Sequence, residues 1–246
     1  MLDNLDNRRD VPPMYHAGAR TLQDQFDSRR IADRLEQVQV HSTFTDHDRA
    51  FIEGCAMFFL ATADADGHPD CSHKGGLPGF VRVVDERSLA FPDYDGNGMF
   101  KSLGNILLNP HVGLLFLSSE RPSRLRVNGV ATVNQDDPLM AEYPGAQLVV
   151  RVQAQRIFPN CPRYIHQLQL VEHSVYVPQP AYRPPIPEWK TMKVFRGALP
   201  RRASTDAQQG LFQGVKDRAR CYAQRKVVRL RKGLTWYLRR LENWLG

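Results

Sequence analysis

Apolar residues first recur at helical spacing over residues 20–36. Leu22, Phe26, Ile31 and Leu35 there predict a helix behind a polar arm at 1–18. Thr45, followed three residues later by Asp48 and then by Phe51-Ile52, reads as a capping box with Asp replacing the usual Glu or Gln. The period then shortens. Residues 57–62 predict a buried strand and 64–67 a turn. Residues 80–84 predict a second strand, 85–88 a hairpin turn, and 88–91 the start of a third strand. Residues 99–108 predict a short helix that Asn109-Pro110 stops. Residues 112–117, 125–133 and 148–158 supply the fourth, fifth and sixth strands. Strands in succession, with one short helix between the third and fourth, predict an all-β core with peripheral helices: an antiparallel barrel. The expected divisions are an arm and helix (1–44), the barrel (45–177), a Pro-rich extended segment (178–207) and a C-terminal helix (208–246).

Composition narrows the class without changing this picture. The 246 residues are 42% hydrophobic and 24% charged, as in ordinary globular proteins. No apolar run reaches the ~18–20 residues of a membrane span. The N-terminus lacks the basic start and apolar stretch of a leader, so a cytoplasmic location is expected. Cys55, Cys71, Cys161 and Cys221 form no Cys-x-x-Cys pair, and reduced thiols are expected with no metal site. The net charge of +7 is concentrated in the tail. Residues 196–246 hold 13 Lys+Arg against 3 Asp+Glu, while the first 195 hold 20 against 23. The barrel therefore offers no electrostatic reason to bind nucleic acid. In the tail, Leu230, Leu234, Leu238, Leu241 and Leu245 at helical spacing, among arginines, predict a basic amphipathic helix. Such a helix would pack on the barrel or its partner, or lie on an anionic membrane surface.

The candidate chemistry sits between residues 68 and 133. Asp95-Gly96-Asn97-Gly98 precedes the helix at 99–108, and a glycine-containing loop before a helix lets backbone amides approach an anion. Lys101 and Ser102 add a cation and a hydroxyl at that helix start, and Lys74, Arg82 and Arg124 are cations on neighbouring segments. Together these suit a phosphorylated cofactor. His73 and Cys161 are weaker candidates, for proton donation and thiol redox chemistry. His166 and His173, two histidines seven apart, make only a weak metal site.

Taken in order, Lys74-Gly75-Gly76-x-Pro78-Gly79-Phe80-Val81-Arg82-Val83, Lys101-Ser102-Leu103-Gly104-Asn105 and Asn109-Pro110-x-Val112-Gly113-Leu114-Leu115-Phe116 resemble the pyridoxamine 5′-phosphate oxidase-related flavoproteins. The resemblance spans about residues 45–160. It implies an FMN-binding split β-barrel acting as a homodimer. Carried over residue by residue, it places Lys74, Gly79, Phe80, Val81, Arg82, Phe91, Pro92, Asn97, Lys101, Ser102, Asn105 and Arg124 around FMN. It brings Asn160 and Cys161 to the flavin from the partner chain. Ser102 stands where the family has a second basic residue, and Arg124 where it has a glutamine. The family's substrate-phosphate residues have no recognisable counterparts, so pyridoxamine 5′-phosphate oxidation itself is not implied. The expected activity is electron transfer between a reduced donor and a small acceptor, with the flavin supplying the chemistry. The alternative is a non-enzymatic flavin or haem binder or redox sensor.

Overall fold

In the computed structural model residues 13–118, 122–182 and 184–200 are described. The C-terminal helix expected at 208–246 lies outside them. The chain divides into two units, Met1–Pro180 and Ala181–Gly246. In the second, a 3-10 turn at Glu188–Thr191 leads into the one-turn α5 (Lys193–Arg196), with the Trp189 and Phe195 rings edge to face at 5.8 Å. Among the described residues no helix is long and apolar enough to cross a membrane.

The first unit begins with helices. The helix expected over 20–36 is in fact two, α1 (Ala17–Gln25) and α2 (Arg29–Gln39), broken where Asp27 takes a left-handed φ of 48°. Leu22 to Phe26 and Ile31 to Leu35 are each four apart, as one helix face requires, whereas the five-residue step from Phe26 to Ile31 falls out of phase where the helix breaks. α3 (Asp46–Gly54) starts with the expected capping box. The Thr45 side chain accepts from the Asp48 amide, and the Asp48 carboxylate accepts from the Thr45 amide. His41 Nε2 lies 2.8 Å from the same carboxylate. Burial alone would raise the Asp48 pKa, but hydrogen bonds from Thr45 and His41 outweigh it and hold the group below the usual aspartate value.

Seven antiparallel strands follow: β1 (Met57–Ala63), β2 (Pro69–Gly75), β3 (Arg82–Val83), β4 (Ser88–Tyr94), β5 (His111–Ser118), β6 (Ser123–Asn134) and β7 (Ala146–Pro159). α4 (Lys101–Leu108) lies between β4 and β5, as expected. The strand order is β2-β1-β5-β6-β7-β4-β3. Alternation decides the faces: Phe58 and Leu60 of β1 are fully buried, with Leu114 and Phe116 of β5 beside them. Three strands separate β1 from β4 in the sheet, yet the Phe58 and Phe91 rings meet at 4.9 Å. The sheet therefore curls on itself, giving a split β-barrel whose core is filled by Phe58, Phe91, Phe116, Val127, Val152 and Ile157 among others.

Two expectations are corrected. The strand expected over 80–84 is only Arg82–Val83, because the preceding residues are tied to α3 and to a turn. The Gly79 amide donates to the Glu53 carbonyl at 2.6 Å, with Gly79 at φ 88°, and the Phe80 amide bonds back to Leu77. Conversely, β2 was not expected as a strand. Its alternating residues Asp70, Ser72 and Lys74 are polar but pair directly with Thr62, Leu60 and Phe58 of β1, so they share the inward face.

Candidate functional site

The seam where the barrel closes collects the polar groups. Lys74 Nζ on β2 reaches Asp93 Oδ1 on β4 at 3.6 Å, with side chains 18% and 12% exposed. This pair bridges the two ends of the curled sheet. Burial raises the Asp93 pKa, and the nearby Lys74 ammonium offsets that only in part. Next along the inward face, the Ser102 hydroxyl donates to Asp70 Oδ2 at 3.1 Å, and Asn105 Nδ2 donates to Thr62 Oγ1 at 3.0 Å. Both donors come from α4, whose apolar residues Leu103 and Ile106 face the core and fix the helix over β1 and β2.

The start of α4 is open. Thr45 caps α3, but no side chain caps α4, and its N-cap residue Phe100 has a left-handed φ of 48°. The loop before it turns through Gly98 at φ 77°, while Asn97 Oδ1 accepts the Met99 amide at 3.0 Å. First-turn amides without a side-chain partner, beside the exposed Lys101, form a positive helix end suited to a phosphate. Ser102 is adjacent, with its hydroxyl already engaged by Asp70.

The remaining candidates are spread more widely. Phe80 and Val81 are 5% and 0% exposed and Phe91 is 0% exposed, so all three are packed in the core. Pro92 is buried on the opposite face of β4 from Phe91. Arg82 forms an ion pair with Glu142 and lies over the Tyr143 ring, 5.0 Å from its centroid, so it is directed away from Lys74. Burial pushes the Tyr143 hydroxyl up to about 12, with Arg82 opposing. Arg124 and Asn160 lie on β6 and just after β7; the Nε of one and the Oδ1 of the other are buried without a hydrogen-bond partner. Cys161 is exposed. The structure thus brings Lys74, Ser102 and Asn105 together with the open end of α4, and leaves Arg82, Arg124, Asn160 and Cys161 apart from them.

Sequence reasoning missed Asp70, Asp93 and Thr62. The period-two polar pattern Asp70, Ser72, Lys74 was the available signal, and it reads as a solvent-facing loop until β2 is paired. At the β1–β2 turn, Asp64, Asp66 and His68 bring ligand-type atoms within 4.8 Å of one another. Asp64 accepts the amides of Asp66 and His68 there, which is turn chemistry.

A family model for pyridoxamine 5′-phosphate oxidase matches residues 44–171. No curated protein matches the chain. Among solved structures, HupZ of Group A Streptococcus is 20% identical, with 47% of this chain and 93% of that one covered and a TM-score of 0.39. The heme storage protein HutZ of Vibrio cholerae is also 20% identical, over 46% of this chain and 91% of that one, with a TM-score of 0.36. An FMN-binding protein of Syntrophomonas wolfei is 10% identical, over 58% of this chain and 96% of that one, with a TM-score of 0.36.

Proposed function

Because this chain belongs to the pyridoxamine 5′-phosphate oxidase family, we propose that it binds FMN and acts as an oxidoreductase, passing electrons between a reduced donor and a small acceptor. The observation that carries this reading is the open start of α4: uncapped amides, Gly98 and Phe100 at positive φ, and an exposed Lys101. When bound, the flavin supplies the redox chemistry. The chain supplies position and charge. The α4 amides and Lys101 would hold the phosphate, with the Ser102 hydroxyl, which donates to Asp70, beside them. Lys74 holds the seam of the barrel closed through Asp93. Asn105, anchored on Thr62, fixes α4 against β1, so the phosphate site stays in register with the sheet. No proton-transfer residue is required of the chain.

The working unit in this reading is a homodimer. Leu22, Phe26, Ile31, Leu35 and Val38 of the N-terminal helical pair are 40–72% exposed in the single chain, a patch that a second copy would cover.

Purified protein tests both parts. FMN at about one per chain, with absorbance near ~450 nm, is expected, whereas a Soret band would replace the reading with haem binding. Lys101→Ala with Ser102→Ala should weaken FMN binding, each lost charge-assisted contact costing roughly 1.5–3 kcal/mol. Unchanged FMN affinity would overturn the phosphate assignment. Light scattering should give about twice 28.1 kDa; a monomer with full flavin content would defeat the homodimer.

A further inference from the structure

A cleft of about 560 Å³ lies over the outer face of β6 and β7, lined by Tyr15, Arg126, Asn128, Arg156, Phe158 and Asn160 among others. No residue of β2, β4 or α4 lines it, so it is distinct from the proposed FMN phosphate site. The strand register explains its charge. Arg126 pairs with Phe158 and Asn128 with Arg156, so the two arginines are diagonal neighbours on one face. Diagonal residues stand roughly 7–8 Å apart, within reach of a common ligand for side chains of this length.

Several other arginines of this unit are neutralised locally, among them Arg49 by Glu53, Arg82 by Glu142 and Arg151 by Asp137, while Arg34, Arg87, Arg124 and Arg163 form no ion pair among the described residues. Arg126 and Arg156 form no ion pair with any described carboxylate. Two like charges side by side destabilise a sheet face unless an anion lies between them. Phe158, 8% exposed, gives the cleft an apolar floor.

We infer that this cleft is a binding site for a small dianion, held by Arg126 and Arg156. A dicarboxylate would place one acid group on each guanidinium, and a phosphate would bridge both.

Titration calorimetry on the full-length, cofactor-containing protein tests this, with succinate and inorganic phosphate as probes at constant ionic strength and chloride as the control. Saturable binding of either probe at one site per chain is expected. It should weaken roughly tenfold or more in both Arg126→Gln and Arg156→Gln, and stay unchanged in Arg30→Gln, an exposed arginine on α2. Binding of succinate alone assigns one acid group to each arginine, and binding of phosphate alone assigns both arginines to one centre. FMN content should be unaffected in either variant, which separates this site from the cofactor reading. No saturable binding beyond chloride, or equal binding in all variants, would overturn the inference. So would variants that convert a dimer to a monomer while anion binding persists, since this face would then lie between copies.

Discussion

Replacing Gly129 by alanine should be among the most damaging single-methyl additions to the barrel. Gly129 sits where the β6–β7 register shifts, opposite Ala154. A Cβ built there would lie 2.2 Å from the Gln153 carbonyl oxygen, 3.0 Å from its carbon and 3.1 Å from Val152 Cγ1. The oxygen is backbone and cannot rotate away. β7 cannot retreat either, because Gln153 pairs with Ser88 of β4 on its other side. Overpacking alone costs about 1–3 kcal/mol. Losing one or two ladder hydrogen bonds adds about 0.5–1.5 kcal/mol each. Together these predict a loss of about 2–4 kcal/mol in urea denaturation followed by circular dichroism. Gly104→Ala is the matched control. It lies inside α4 with nothing within 4 Å of its Cβ position, and alanine there should stabilise by about 0.5–1 kcal/mol. The reasoning fails if Gly129→Ala remains within about 0.5 kcal/mol of the parent, or if Gly104→Ala is destabilised to a similar degree.

Thiol reactivity should split by burial. Cys55 is buried and its thiol is pushed up to about 11, whereas Cys71 and Cys161 are exposed. Iodoacetamide on native protein should therefore mark Cys71 and Cys161, and reach Cys55 only after denaturation, as read by peptide mass spectrometry. Asp48 has a lowered pKa in the fold, so the stability its charge provides is present above the ordinary aspartate value of about 4 and fades as pH falls through the lower folded value. The stability gap between parent and Asp48→Asn should be largest at neutral pH, about 1 kcal/mol, and shrink at acid pH; a gap constant from pH 6 to pH 3 would contradict this. The basic tail predicts salt-sensitive flotation with anionic liposomes, each basic residue near the surface adding about 1 kcal/mol. The effect should vanish on truncation before Gln208 with FMN content intact, and loss of FMN on that truncation would contradict the placement of the cofactor site.

The parts of this protein legible in the sequence are those where a local pattern and its tertiary use agree. The Thr45–Asp48 box, the Asp64 and Asp85 turns, and the stop of α4 at Asn109-Pro110 each satisfy backbone groups within a few residues, so no distant partner is needed to decide them. The inward strands were likewise legible, because Phe58, Leu60, Leu114 and Phe116 alternate as a buried face demands. β2 was not, and the reason is physical. Its inward residues are Asp70, Ser72 and Lys74, and the segment reads as loop because nothing local satisfies Asp70 and Lys74. Their partners are Ser102, forty-five residues past the β1 strand start, and Asp93 on a strand that meets β2 only when the sheet curls. The same argument covers Arg126 and Arg156. Each is an unremarkable surface cation in the chain, and only the β6–β7 register shows two of them sharing one face with no acid between. Polar residues whose partners are supplied by closure of the barrel, or by a ligand, carry no periodic signature. In this chain they are the residues on which the proposed phosphate site and the inferred anion cleft depend.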